Sequence, residues 1–111
     1  MKIGLHSEGF VLDGELEKYA GNKLMDLGKE LPKRLREHAT CSAEFSVHQQ
    51  GESKFNTCRL TFIIAGEEFR AEETTLHMYA ALDIAVVRIE QLLKHFAVRQ
   101  KSGKKRGWQL P

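Results

Sequence analysis

The chain has 111 residues, the size of one ordinary domain and enough to bury about two-thirds of its surface on folding. Hydrophobic residues make up 41% and charged residues 29%, a soluble globular profile, and apolar runs such as FIIA and IAVV are far too short to span a membrane. The net charge of +2 hides an asymmetry. Residues 1–87 carry 10 Lys/Arg against 14 Asp/Glu, whereas residues 88–111 carry 7 Lys/Arg against Glu90 alone.

The first stretch, KIGLHS, alternates, with Ile3 and Leu5 on one side. That pattern predicts a short strand with one buried face. Met1 leads directly into it without a charged and then apolar leader, so an intracellular, cytoplasmic chain is expected. Asp13 then suits a helix N-cap, and Glu15 and Glu17 suit the positive end of the helix dipole. Leu16, Tyr19, Ala20, Leu24, Leu27 and Leu31 recur at three- and four-residue steps, and Pro32 marks the expected end. Gly21 and Gly28 weaken this helix by roughly 1 kcal/mol each relative to Ala.

PKRLREHAT reads as a polar connection. A long alternating strand follows, with Cys41, Ala43, Phe45 and Val47 inward. QQGES is a turn signal, and the next strand turns Cys58, Leu60, Phe62 and Ile64 inward. Gly66 breaks the run, and EEFRAEE reads as a third, acidic strand. The last element is a helix from residue 78, with a core stripe of Met78, Leu82, Ala85, Ile89, Leu92, Leu93 and Phe96.

The order β-α-β-β-β-α predicts an α+β fold. It is a two-layer α/β sandwich, a four-stranded sheet of three consecutive antiparallel strands plus the first, with two helices on one face. The other sheet face stays wet. Residues 1–99 form the single domain, and residues 100–111, rich in Lys, Gly and Ser, form a flexible basic tail.

Chemistry-bearing clusters are sparse. Cys41 and Cys58 form no CxxC and share no ligand spacing with the five histidines, so two reduced thiols on neighbouring strands are expected, and no metal or cofactor. No GxSxG, GxxxxGK[ST], HExxH or GxGxxG occurs. Glu67, Glu68, Glu72 and Glu73 suggest a divalent-ion site, but alternation splits them across both faces of the strand, as on a solvated edge. Asp83 and Glu90 fall on the outer face of the last helix, where helical charges ordinarily sit.

The cations are more telling. At 100° per residue, Arg88, His95 and Arg99 line up beside the core stripe of the last helix, with Gln91 slightly further out and Lys94 opposite the core. In the first helix Lys23 falls inside the apolar arc, between Ala20 and Leu27, so its ammonium must reach out along a groove. With both helices on one sheet face, Lys23 and Arg88 are expected to border the groove between them. Ordinary snorkelling accounts for either alone. A row that continues through Arg99, Lys101, Lys104, Lys105 and Arg106 points instead to a polyanionic partner, against a merely solubilising tail. Phosphate contacts position without reading sequence, and double-stranded RNA is recognised by shape and backbone, so structured RNA fits this surface best. The sheet face offers few aromatics for a single-strand platform. Trp108 could stack on a base or simply pack.

The stretch AGEEFRAEETTLHMYAALDIAVVRIEQLLKH, with MYAALD at Met78–Asp83, resembles the signature end of the ribosome hibernation-promoting factors and ribosome-associated inhibitor A proteins. Asp13, Leu16, the Lys23-Leu24 pair and Leu27 fit the family's first-helix pattern, and the likeness spans residues 1 to about 99. It implies a fold similar to double-stranded-RNA-binding domains and a non-enzymatic role. That role is binding small-subunit rRNA in the channel used by messenger and transfer RNA, silencing idle ribosomes under stress. Its partners would be the small ribosomal subunit and its rRNA, with no membrane and no small-molecule substrate, and the chain would be a monomer off the ribosome.

By position the resemblance makes Lys23 and Arg88 the RNA-facing cations, joined by Lys94, His95, Arg99, Lys101, Lys104, Lys105 and Arg106. Asp26, Gln91 and His95 stand where the family has basic residues, and His77 stands where it has an acidic one, so a helix cap is lost or altered. The long-form dimerisation domain is not in this chain, which places the resemblance with the short form. The family has also carried the label of sigma-factor modulation, so the rival reading is a protein-binding regulatory module with little RNA affinity. A small enzyme using the acidic strand is the third reading.

Overall fold

The computed structural model describes residues 1–29 and 31–107, with side chains described for residues 1–29 and 31–99. Seven elements follow in order: β1 (Lys2–Glu8), α1 (Gly14–Leu27), α2 (Lys33–Arg36), β2 (Thr40–Gln50), β3 (Ser53–Ile64), β4 (Glu67–Thr75) and α3 (Met78–Gly107). The strands form one sheet in the order β1-β2-β3-β4. β1 runs parallel to β2, because the α1 crossover returns the chain to the same end. β2, β3 and β4 form an antiparallel meander. Both helices cover one face of this mixed sheet, as the sequence pattern predicts.

The register lines up the apolar positions. Cys41 pairs Phe62, Ala43 pairs Leu60 and Phe45 pairs Cys58. Leu60 in turn pairs Ala71, and Phe62 pairs Phe69. All of these are buried, together with Ala20, Leu24 and Leu27 of α1 and Leu82, Ala85, Ile89, Leu93 and Phe96 of α3, in one cluster. The alternate positions make the wet face, where His6, Glu44, Arg59 and Glu72 stand in a row across four strands. α3 packs on β3 and β4, while α1 packs on β1 and against α3.

Local chemistry sets the boundaries. The Asp13 carboxylate accepts from the Leu16 amide at 2.7 Å, the expected N-cap. α1 stops at Leu27, one turn before Pro32, because Gly28 takes the C-cap. Leu31 is still buried through the turn that follows. PKRLREHAT is not wholly irregular, since residues after Pro32 close the short α2. β3 and β4 are joined by Ala65 and Gly66, both at positive φ (51° and 79°). That matches the two-residue hairpin turn whose twist suits the strands, although Ala is strained there where Gly is not. β3 begins at Ser53, so the β2–β3 hairpin is longer than the alternation of inward residues alone indicates.

Leu92 departs from the predicted stripe. It sits at the edge of α3's buried face and is exposed, while Val86 is buried. α3 continues as helix through Gly107, past residue 99. No helix among the described residues is long and apolar enough to cross a membrane.

Candidate nucleic-acid interface

α3 divides the predicted cations between its two flanks. On the α1 side, the Tyr19 hydroxyl donates to Asp83 Oδ1 at 2.7 Å, and Lys23 Nζ lies 3.8 Å from the same oxygen. The Lys23 ammonium also sits 5.5 Å from the centre of the Tyr19 ring. Tyr79 packs edge-on against Tyr19, with centroids 4.9 Å apart. The hydrogen bond to Asp83 and partial burial raise the Tyr19 pKa above its ordinary value. Asp83 is thus a staple between the helices as well as an outer-face charge.

On the opposite flank, Arg88 Nε meets Glu73 Oε1 of β4. Further along, Arg99 Nη2 lies 2.8 Å from Glu67 Oε2, and its guanidinium stands 5.8 Å from the Phe96 ring. Arg88 is therefore not beside the α1–α3 groove. It is rotated about 140° around α3 from Asp83, the partner of Lys23. The expectation that Lys23 and Arg88 border one groove fails, because the core stripe turns Arg88 toward the sheet edge.

That edge has a groove of its own, about 380 Å³, lined by Arg70, Arg88, Gln91, Leu92 and His95 with Ala71 and Glu72. Arg70 enters it without having been marked by the sequence reading. Its signal was its place on the edge strand, one pleat from Glu72. Lys94 and His95 are exposed, and among the described residues neither makes an ion pair. Lys101, Lys104, Lys105 and Arg106 continue the helical backbone, with side chains outside the described residues. Trp108 lies outside them altogether. Asp26 pairs with Lys29 at 2.8 Å on α1.

Alternation does split the β4 carboxylates. Glu67 and Glu73 share the parity of buried Phe69 and Ala71 and face the helix side. Glu68 and Glu72 face the open side, where they pair with Arg70 and Arg59 at 3.1 Å each. Arg59 also reaches Glu44 at 3.2 Å, and these hydrogen-bonded carboxylates, Glu72 foremost, raise its pKa further. Each β4 glutamate is thus paired with an arginine. Among the described residues no group of three or more His, Cys, Asp or Glu is placed to hold a metal ion.

The cysteines are free and buried. Cys41 pairs with Phe62 and Cys58 with Phe45, so they stand four residues apart along the register, too far for a disulfide. Burial pushes both thiols up to about 12, with Cys41 adding a smaller effect at Cys58.

The family model described as sigma 54 modulation protein / S30EA ribosomal protein matches residues 3–101. No curated protein matches the chain by sequence. The N-terminal domain of Protein Y from Thermus thermophilus superposes with a TM-score of 0.70 at 23% identity, covering 86% of this chain and 99% of that one. A ribosomal subunit interface protein from Coxiella burnetii superposes with a TM-score of 0.69 at 16% identity, covering 86% and 97%. At these identities the likeness is one of fold.

Proposed function

The chain belongs to the sigma 54 modulation protein / S30EA ribosomal protein family, and from that premise we propose that it is a ribosome-associated, non-catalytic regulator of translation. In this reading it works in the cytoplasm as a monomer. It binds small-subunit rRNA in the channel used by messenger and transfer RNA, and silences idle ribosomes under stress. The observation that carries the reading is the family match across residues 3–101.

The surface of α3 supports the RNA part. Arg88, His95 and Arg99 fall along one flank over about 16 Å of helix axis, and Lys94 stands exposed on the outer face, about 120° around the helix from Arg88. Lys101, Lys104, Lys105 and Arg106 extend the basic run. The glutamates that hold Arg88 and Arg99 do not rule such a role out. Both arginine side chains are more than half exposed, and a pair exposed on both sides, as Arg99–Glu67 is, is worth only about 0–1 kcal/mol. A phosphate array can therefore replace a carboxylate partner.

Sucrose-gradient fractionation of a lysate, probed for this chain, tests the proposal. Co-migration with small subunits that is lost as salt rises is expected, since phosphate contacts are salt-sensitive. A chain that stays at the top of the gradient at low salt overturns it.

A further inference from the structure

Two glutamates compete with any incoming polyanion for the arginines of α3. Glu73 holds Arg88, and Glu67 holds Arg99. The two members of each pair are unequally placed. The Arg88 side chain is 63% exposed and that of Glu73 17%. For Arg99 and Glu67 the figures are 58% and 41%. Each carboxylate sits on a short stem fixed to a strand, while each guanidinium rides on a long, mobile one. When the pair opens, the guanidinium moves and the carboxylate stays.

We propose that Glu67 and Glu73 are specificity-determining residues of the RNA-binding surface, a step that rests on the RNA-binding reading above. They keep Arg88 and Arg99 self-neutralised, so that a lone or flexible phosphodiester gains nothing by approaching. Such a phosphate exchanges one anion for another at the arginine and then faces the carboxylate left behind. A rigid, folded RNA surface differs. It meets Gln91 and His95, which line the same groove as Arg88, at the same time, and among the described residues neither makes an ion pair that must be broken. The exchange at Arg88 and Arg99 then becomes one part of a larger, cooperative contact. Glu73 contributes more than Glu67, because it is the less hydrated and so the more costly to leave unpaired. Glu44, on the open sheet face with Arg59 and away from this groove, has no such role and serves as the internal control.

The test is fluorescence anisotropy with a short, unstructured oligo-uridylate, comparing wild type, Glu67→Gln, the double variant E67Q/E73Q, and Glu44→Gln. The double variant should bind roughly tenfold or more tightly at 0.1 M salt, with a log–log salt slope steeper by about 1.4, for two recovered single-strand contacts. Glu67→Gln alone should steepen the slope by about 0.7, and Glu44→Gln should match wild type. Unchanged affinity and slope in a double variant that melts like wild type overturns the proposal. If the double variant does not fold, an unchanged slope in Glu67→Gln does so. Pelleting of wild type with purified small subunits tests the underlying reading separately. Its failure removes the ribosomal partner, while a tightened oligo-uridylate complex would still establish what the carboxylates do.

Discussion

Arg88 on α3 reaches across to Glu73 on β4, so one of the two cations assigned to RNA already has an anionic partner within the protein. Lys23, the other, leans on Asp83 from the far side of the same helix. The two residues lie on opposite flanks of α3, so if both touch RNA their effects on binding should add. The double variant K23Q/R88Q should bind small subunits with a salt slope lower by about 1.4 to 1.8. Its melting temperature should fall by only a few degrees: the Lys23–Asp83 pair is largely solvated, and the loss falls mainly on Glu73, 17% exposed and left without its arginine. Co-sedimentation of this variant at wild-type strength and wild-type salt dependence would remove both residues from the interface.

The start of α3 carries a testable weakness. His77 O accepts from the Ala81 amide, which makes His77 the capping residue, and the first turn holds no acidic side chain. Thr75 Oγ1 accepts from the His77 amide at 3.0 Å and braces the entry, but it does not reach the helix amides beyond. His77→Asp supplies an acceptor and a favourable charge at the dipole's positive end, together worth about 1 kcal/mol. Thermal unfolding should shift upward by about 4 °C. RNA binding should not change, since Arg88 lies about 16 Å further along the helix, beyond the screening length at 0.1 M salt.

The β3–β4 turn offers a second stabilising change. Ala65 occupies left-handed backbone (φ 51°) that asparagine tolerates better. Ala65→Asn should raise the denaturant midpoint, by the equivalent of about 0.5–1 kcal/mol, with the slope of the transition unchanged. An unmoved midpoint would mean that the turn relaxes without cost.

Much of this architecture was legible from period-two and period-3.6 patterning, because each buried face is continuous in sequence. Cys41 to Phe45 and Cys58 to Ile64 alternate without interruption, and their register follows. The stop at Gly28 was harder to see. Gly21 and Gly28 look alike in sequence, and only tertiary packing decides which one ends the helix. The β4–α3 ion pairs were missed because their partners are 15 and 32 residues apart. The two halves of the signal were nonetheless present. Strand parity puts Glu67 and Glu73 on the side of Phe69, and the helical wheel puts Arg88 and Arg99 on one flank. Only the packing of α3 over β4 joins them. The wheel alone also set Arg88 beside Lys23, since it fixes a flank and not the neighbour that the flank meets.

Thiol chemistry gives a pH-dependent prediction. Cys41 and Cys58 have folded-state pKa values raised by burial to about 12 from an ordinary 9. Their contribution to stability is fully present below pH 9 and is lost as pH rises from 9 toward 12, where the unfolded chain ionises first. Unfolding free energy should therefore fall across that window, and a Cys41→Ala/Cys58→Ala variant should show a shallower fall from its own starting value. At pH 8 an aromatic disulfide reagent should find no reactive thiol in the native chain and two after denaturation. Rapid native labelling would mean that the sheet opens locally above these positions.

The last prediction concerns residues 100–111. Phe96 is the final core residue among those described, while Val98 and Arg99 are already exposed. We propose that the core ends at Phe96, so that the rest of α3 owes little of its stability to the domain. Removing residues 100–111 should therefore leave the melting temperature nearly unchanged. The same deletion removes Lys101, Lys104, Lys105 and Arg106. Affinity for small subunits should drop, and the salt slope should fall by about 0.7 to 0.9 for each of these cations that had touched a phosphate. The two readouts separate the possibilities. Loss of binding at constant stability marks the basic run as an RNA-contacting arm. A large loss of stability would instead mean that the end of α3 packs on the body of the domain.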